Sequence, residues 1–595
     1  MAPRIEDYAL IGDCHTAALV GRDGSIDWLC FPRFDSPACF AALLGTPQHG
    51  RWLIAPVDPV RRVTRAYRDQ TLVLETTFET DTGAVTLTDC MPIRSYQPDL
   101  VRVVTGQRGK VRMRMELIAR FDYGSITPWL RSEPGGIQAV GGPETLRLQT
   151  AAPLRVEGWT TVADFEISER EQVPFVLTWH PSHAAPPPPI DPLTAVESTA
   201  AWWRDWAART TYKGEWREAV VRSLITLKAL TYEPTGGIVA AATTSLPEHI
   251  GGVRNWDYRY CWLRDATFTL AALLQSGYLE EARAWRQWLL RAVAGKGSEL
   301  HIMYGLAGER RLPEIELPWL PGYENSRPVR IGNGAHDQFQ LDVFGEVLDC
   351  LHVARRYGLK ETDDWRIERE LLSRLQQVWR DPDEGIWEVR GPKRHFTHSK
   401  VMAWVAFDRA VKDVERFGLD GPCDLWRRTR DKIHAEICDR GFDREGNTFV
   451  QSYGAKELDA SLLVMAEVGF LPASDPRIIG TIEAIERGLL RDGFVDRYRT
   501  KSGVDGLPTG EGAFLLCTFW LADNYTLMGK HAEARRIFEG LLAIRNDVGL
   551  LAEEYDPVLR RQLGNFPQAF SHLALINTAR NLTERENPVD VRRSG

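Results

Sequence analysis

The chain changes its hydrophobic rhythm near residue 192. Before that point apolar and polar residues alternate in short runs: LVLETTFET from Leu72, AVTLTDCM from Ala84, LVRVVTGQ from Leu100, VRMRMELIA from Val111 and PFVLTW from Pro174. A period of two sends successive side chains to opposite faces, so each run predicts a strand. Many such runs, with Gly, Asp or Pro between them, predict an antiparallel sandwich. The four prolines of AAPPPPIDP (184–192) continue neither strand nor helix and mark a stiff domain edge.

Beyond the prolines the period becomes helical. WREAVVRSLITLKAL, DQFQLDVFGEVLDCLHVARRYG, AFLLCTFWLADNYTLMG and AFSHLALINTARNL each place apolar residues three and four apart, and several such segments stop at glycine. The pattern predicts roughly a dozen helices with no repeat of fixed length, which favours a closed ring of helical hairpins over a solenoid. Long connections at 305–334 and 491–510, rich in Trp, Pro, Gly and charge, read as functional loops. The expected organisation is a β domain over 1–190, a helical linker over 191–212 and a helical domain over 213–585.

Composition narrows the function. Of 595 residues, 44% are hydrophobic and 26% charged, the mix of a folded soluble protein. A net charge of −8 without a basic cluster argues against nucleic acid and favours a neutral small substrate. No apolar run is long enough to span a membrane, and the start shows no basic segment followed by an apolar one. Nine dispersed cysteines without a C-x-x-C pair read as reduced thiols, so a cytoplasmic location is expected.

Three segments carry candidate chemistry. Asn255-Trp-Asp-Tyr-Arg-Tyr-Cys-Trp-Leu-Arg-Asp265 sets aromatics, arginines and aspartates just ahead of an apolar helix. Sugars are bound by such sets, their C–H faces on rings and their hydroxyls on charged donors and acceptors. A structural Arg–Asp pair beside core aromatics explains the same residues equally well. Asp381-Pro-Asp-Glu-Gly-Ile-Trp-Glu388 and Leu551-Ala-Glu-Glu-Tyr-Asp556 each offer two glutamates, ordinary surface residues when taken singly.

Together with PTGGIVAAATTSLPE, FTHSK, EGAFLLCTFW and the opening DYALIGDCHTAALVGRDGSIDWLCFPRFDSPACF, these segments resemble glycoside hydrolase family 15. That family comprises glucoamylases, glucodextranases and trehalases, and the resemblance spans nearly the whole chain. It implies a multidomain α and β fold, an N-terminal antiparallel β-supersandwich followed by an (α/α)6 barrel. It places the catalytic acid at Glu388, directly after Trp387, and the catalytic base at Glu553, with Glu384 and Glu554 as the alternatives. It places Trp262, Arg264 and Asp265 around the non-reducing glucose, and Arg497 and Glu511 near the same pocket. Trp256 and Tyr258 are further substrate-binding candidates. Trp319 and Tyr323 are candidates for an outer subsite, with core packing an equal reading. Val389 stands where fungal members carry a second Glu.

Hydrolysis with inversion needs an acid for the leaving oxygen and a base for water, with carboxyls about 6.5–9.5 Å apart. On this reading Glu388 is held protonated in a dry pocket by Trp387, and Glu553 stays ionised in a wetter one. No cofactor or metal is implied: His395 and His398 lack a third ligand in a recognised pattern. Arg33 and Asp35 are expected at the domain interface. The expected product is β-glucose released from an α-glucoside, with trehalose favoured because it is an intracellular disaccharide. Maltooligosaccharide or isomaltooligosaccharide hydrolysis is the alternative, followed by phosphorolysis. A binding protein without turnover has no use for two glutamates.

Overall fold

The computed structural model describes residues 3–94, 96–295, 299–359 and 364–583. Between residues 8 and 181, fifteen strands pair antiparallel in one hydrogen-bonded network. Strand Asp99–Ile118 organises it. Its first half pairs with Gly83–Cys90 and Gln172–Pro181, its second half with Arg51–Pro56 and Thr160–Ser168. One strand is therefore shared by two sheets. The sequence read this stretch as two strands around Gly106 and Gly109; instead Gly109 takes φ +66° and the pairing continues through the irregularity. Alternating apolar faces of both sheets, including Trp52, Leu87 and Val104, are buried in one core that continues into the helical half.

The proline run ends where Asp191 accepts the Thr194 N–H at 2.8 Å and Pro192 opens helix α1 (Pro192–Ala207), a capped start with Pro in the first turn. Twelve helices follow among the described residues: α2 (Arg217–Ala229), α3 (Ala266–Gln275), α4 (Leu279–Val293), α5 (Asp342–Arg356), α6 (Asp364–Val378), α7 (Thr397–Phe417), α8 (Cys423–Arg440), the short α9 (Val464–Glu467) after a 3-10 turn, α10 (Pro476–Leu489), α11 (Leu515–Leu527), α12 (His531–Ala543) and α13 (Ala569–Thr583). An inner ring runs α3, α5, α7, the 3-10 turn with α9, α11 and α13, and α13 packs back on α3 to close it. Helices α2, α4, α6, α8, α10 and α12 lie outside, each on an inner neighbour, while α1 packs against the sheet and α2. Inner helices are apolar nearly all round, as α11 shows by burying every residue from Leu515 to Tyr525.

Several of the described loops lead into inner helices from one end: 248–265 into α3, 333–335 into α5, 387–390 into α7, 497–514 into α11 and 553–568 into α13. That end gathers the positive N-terminal poles of the ring, a setting that favours carboxylates. The domains are tied at Arg33, which donates to Asp35 and, at 2.9 Å, to Glu309 of the helical half. All nine cysteines are free. No described helix is long and apolar enough to cross a membrane.

Candidate active site

A pocket lined by Glu388, Arg264, Trp256 and Arg497 opens at this end of the ring. Glu388 lines it from a tight turn in which its N–H returns to the Gly385 carbonyl at 3.1 Å. Its φ of +56° is rare for a residue with a side chain, and such strain is retained where the surroundings fix it. Trp262 Nε1 donates to Glu388 Oε1 at 2.7 Å and Arg264 Nη1 to the same oxygen at 3.2 Å. Arg264 is itself aimed by Asp265 (3.1 Å), the residue just before α3, and by the Ile386 carbonyl. Trp387 turns the other way, its indole N–H on Asp459 at 2.9 Å.

Glu553 ends the connection before the short strand Glu554–Asp556. Tyr258, which lines the pocket, donates its hydroxyl to Glu553 Oε1 at 2.5 Å. Glu553 Oε2 is buried and carries no hydrogen bond among the described residues. Strand alternation sends the next side chain elsewhere: Glu554 accepts the Gly512 N–H at 2.8 Å and lies 3.5 Å from Arg497. Glu384 is likewise occupied, by the Phe339 N–H at 3.1 Å and Lys393 at 3.3 Å.

Around these groups negative charge is concentrated. Glu248, Glu511 and Glu554 bring carboxylate oxygens within 4.8 Å of one another. Arg497 fills the centre, with Nη2 at 3.0 Å from Glu248 and 2.7 Å from Glu511. Arg254 joins through Asp505 and, at 3.3 Å, Glu511. With Glu553 and Asp505, five carboxyl groups share two guanidinium groups. An arginine in the middle of the cluster already supplies the cation that a metal would bring. Burial, and then the charge of Glu248, pushes the Glu553 carboxyl up to about 8. Burial raises Glu248 and Glu554 as well, and keeps the Tyr258 hydroxyl protonated as a donor.

Glycosyl hydrolases family 15 matches over residues 214–580, and a trehalase-like N-terminal domain over residues 1–180. The chain belongs to glycosyl hydrolases family 15. It is 38% identical to a trehalase of Mycolicibacterium smegmatis over 99% of this chain and 92% of that protein. It is 35% identical to a trehalase of Thermoplasma volcanium over 98% of this chain and 94% of that protein. Its fold is similar to that of a bacterial glucoamylase solved with acarbose, with a TM-score of 0.72 at 11% identity over 100% of this chain and 96% of the other.

In this family 15 chain the residues singled out from the sequence fall into three groups. Trp256, Tyr258, Arg264, Trp387, Glu388 and Arg497 line the pocket. Trp262, Asp265, Glu511 and Glu553 stand behind it, each bonded to a lining residue. Trp319 is elsewhere. Its exposed ring lies on the domain seam with Nε1 on the Tyr123 carbonyl at 3.1 Å. Tyr323 is buried, its hydroxyl on the Pro3 carbonyl. Trp256 carries the guanidinium groups of Arg390 (4.3 Å) and Arg330 (4.7 Å) over its ring, which limits stacking by a sugar.

The expected environments of the two glutamates are reversed. Glu553 is 1% exposed, in the dry setting, while the Glu388 side chain is 19% exposed. The reason is position: Tyr258 stands between Glu553 and the pocket, whereas Glu388 is carried on a projecting turn. Sequence reasoning also missed Glu248, Arg254, Arg390 and Asp505. Glu248 ends the SLPE segment already used for the resemblance and Arg390 follows Glu388 by two residues; Arg254 and Asp505 stand in loops with no local pattern to mark them.

Proposed function

We propose that this protein is an inverting α,α-trehalase, with Glu388 as catalytic acid and Glu553 as catalytic base. The observation that carries the reading is the link Glu388–Trp262–Tyr258–Glu553. Trp262 and Tyr258 meet edge-on with ring centroids 5.2 Å apart, and each donates to one of the two glutamates. Two carboxyls separated by 165 residues are thereby joined beside one pocket, each with one oxygen held and the other without a protein hydrogen bond among the described residues. Similarity to trehalases along nearly the full chain supports trehalose as the substrate, and nine free cysteines support a cytoplasmic setting.

Water loses a proton to Glu553 and attacks the anomeric carbon of the glucosyl unit. The glycosidic C–O bond breaks, and Glu388 delivers a proton to the departing oxygen. Because both anomeric centres of trehalose are α, one turnover yields one β-glucose and one α-glucose.

The test is purified protein with trehalose, maltose and isomaltose, the first-formed anomers read by NMR. Trehalose cleaved in preference, with α and β anomers appearing together in equal amounts, is expected. Preference for maltose or isomaltose would overturn the substrate, and α-glucose alone would overturn inversion. Glucose phosphate formed only with added phosphate would make the protein a phosphorylase.

A further inference from the structure

The mouth of the pocket is built around one cation. Arg390 is the most exposed of the residues that line the pocket, so it stands at the rim, two residues beyond Glu388. Glu314 grips its guanidinium through two parallel bonds, Nη1 to Oε1 at 3.1 Å and Nη2 to Oε2 at 2.7 Å. Such a fork fixes the orientation of the group as well as its place. The same guanidinium lies 4.3 Å from the centre of the Trp256 ring, which Arg330 also covers at 4.7 Å. An aromatic ring at the mouth of a sugar pocket offers a platform for a further sugar; here two guanidinium groups occupy it.

Both members of the fork are held from behind. Glu314 accepts the Gly334 N–H at 2.9 Å, between Asn333 and Ala335 of the pocket wall. The Arg390 N–H donates to the Asp505 carbonyl at 3.0 Å, and Gln338 donates to the Glu388 and Val389 carbonyls at 3.2 Å each. Gly391 runs so close to the neighbouring loop that a Cβ on it would stand 2.5 Å from the Val504 carbonyl oxygen. Residues 388–391 and 504–507 therefore form one continuous rim, from which Arg390 projects. Glu314 takes two of the five N–H groups of the guanidinium, and the others have no protein acceptor among the described residues.

We propose that Arg390, set in place by Glu314 and Trp256, is a specificity-determining residue that limits the substrate to two sugar rings. Its remaining N–H groups are available to hydroxyls of the leaving glucose, while the guanidinium fills the platform that a third glucose would need. Obstructing a competitor is a route to specificity distinct from added attraction for the substrate. The inference rests on the proposed reading of this pocket as the site of glucoside cleavage, and it holds whether trehalose or maltose is preferred.

The experiment compares kcat/KM for trehalose with that for trehalose extended by one α-1,4-linked glucose, scored by initial release of maltose. Maltose and maltotriose form a second pair. Each pair shares its scissile bond, so the ratio within a pair reads the third ring alone. Discrimination of about tenfold or more against the trisaccharide is expected in the wild type. Arg390→Ala should bring the ratio toward one, and Glu314→Gln, which keeps Arg390 but loosens its fork, should move it the same way by less. Rates on α-glucosyl fluoride, which has no second ring, normalise each variant for changes at the inner glucose. The pair is partly exposed and contributes little to stability, so both variants are expected to fold. Faster cleavage of maltose than of trehalose would overturn the trehalase reading, and the maltose pair would then decide this one. A ratio near one in the wild type, or an unchanged ratio in Arg390→Ala, overturns the proposal.

Discussion

The Tyr258 hydroxyl donates to Glu553 at 2.5 Å, so the pocket reaches its more buried carboxyl through a phenol. Donation to an ionised oxygen opposes the rise that burial imposes on Glu553. Tyr258→Phe removes that opposition and sends the Glu553 carboxyl above about 8. A base must be ionised to act, so the ascending limb of kcat/KM against pH moves to higher pH. Activity at pH 7 should fall about tenfold for each unit of rise, and recover as the pH is raised. An unshifted profile would separate Tyr258 from the ionisation of Glu553.

The roles of the two glutamates divide on the leaving group. With trehalose, Glu388→Gln and Glu553→Gln should each lower kcat by about 10²–10⁴, the usual worth of a positioned acid or base. Fluoride departs with little help from an acid, so Glu388→Gln should keep most of its rate on α-glucosyl fluoride while Glu553→Gln loses it. Since Glu553 is the drier of the pair, the opposite result is chemically intelligible, and it would exchange the two assignments.

Glu248 tunes Glu553 from a distance in sequence of 305 residues. Its charge is the largest contribution after burial to the raised Glu553 carboxyl. Glu248→Gln removes that charge while retaining an oxygen for Trp256 Nε1, which donates to it at 3.0 Å. The ascending limb should then move toward lower pH, opposite in sign to Tyr258→Phe. Measuring both profiles in one buffer series checks the pair, and a shift of the same sign in both would remove Glu248 from this role.

Much of the architecture is written locally, and the charge balance is not. Strand and helix periods depend on neighbours within a few residues, so the runs at Leu72, Ala84 and Pro174 and the apolar helices α11 and α13 could be read directly. Trp387-Glu388 and the Tyr258 to Asp265 segment were visible because a tight turn and a helix entry hold their residues close in sequence. The partners Glu248, Arg254, Asp505 and Arg497 come from loops up to about 260 residues apart, and only ring closure assembles them. For the same reason the dry and wet glutamates were exchanged: burial of Glu553 depends on Tyr258 folding over it, which no local pattern encodes.

Gly564 gives a way to move Glu553 without replacing it. Its φ is +74°, and a Cβ built there would lie 2.5 Å from Glu553 Oε2 and 2.7 Å from Glu553 Cβ. Real contacts are never that close, and the crowded atom at 2.7 Å belongs to the root of the side chain, which cannot swing aside. Gly564→Ala must therefore displace the carboxyl or its strand. A shift near 1 Å at a reacting group costs on the order of 10²-fold in rate. Trehalose turnover should fall by that order, with glucose affinity and the circular dichroism spectrum near wild type because Glu388, Arg264 and Trp262 are untouched. Wild-type turnover in Gly564→Ala would mean that the position of Glu553 is not critical, and the base would have to be sought among the other carboxyls of the cluster.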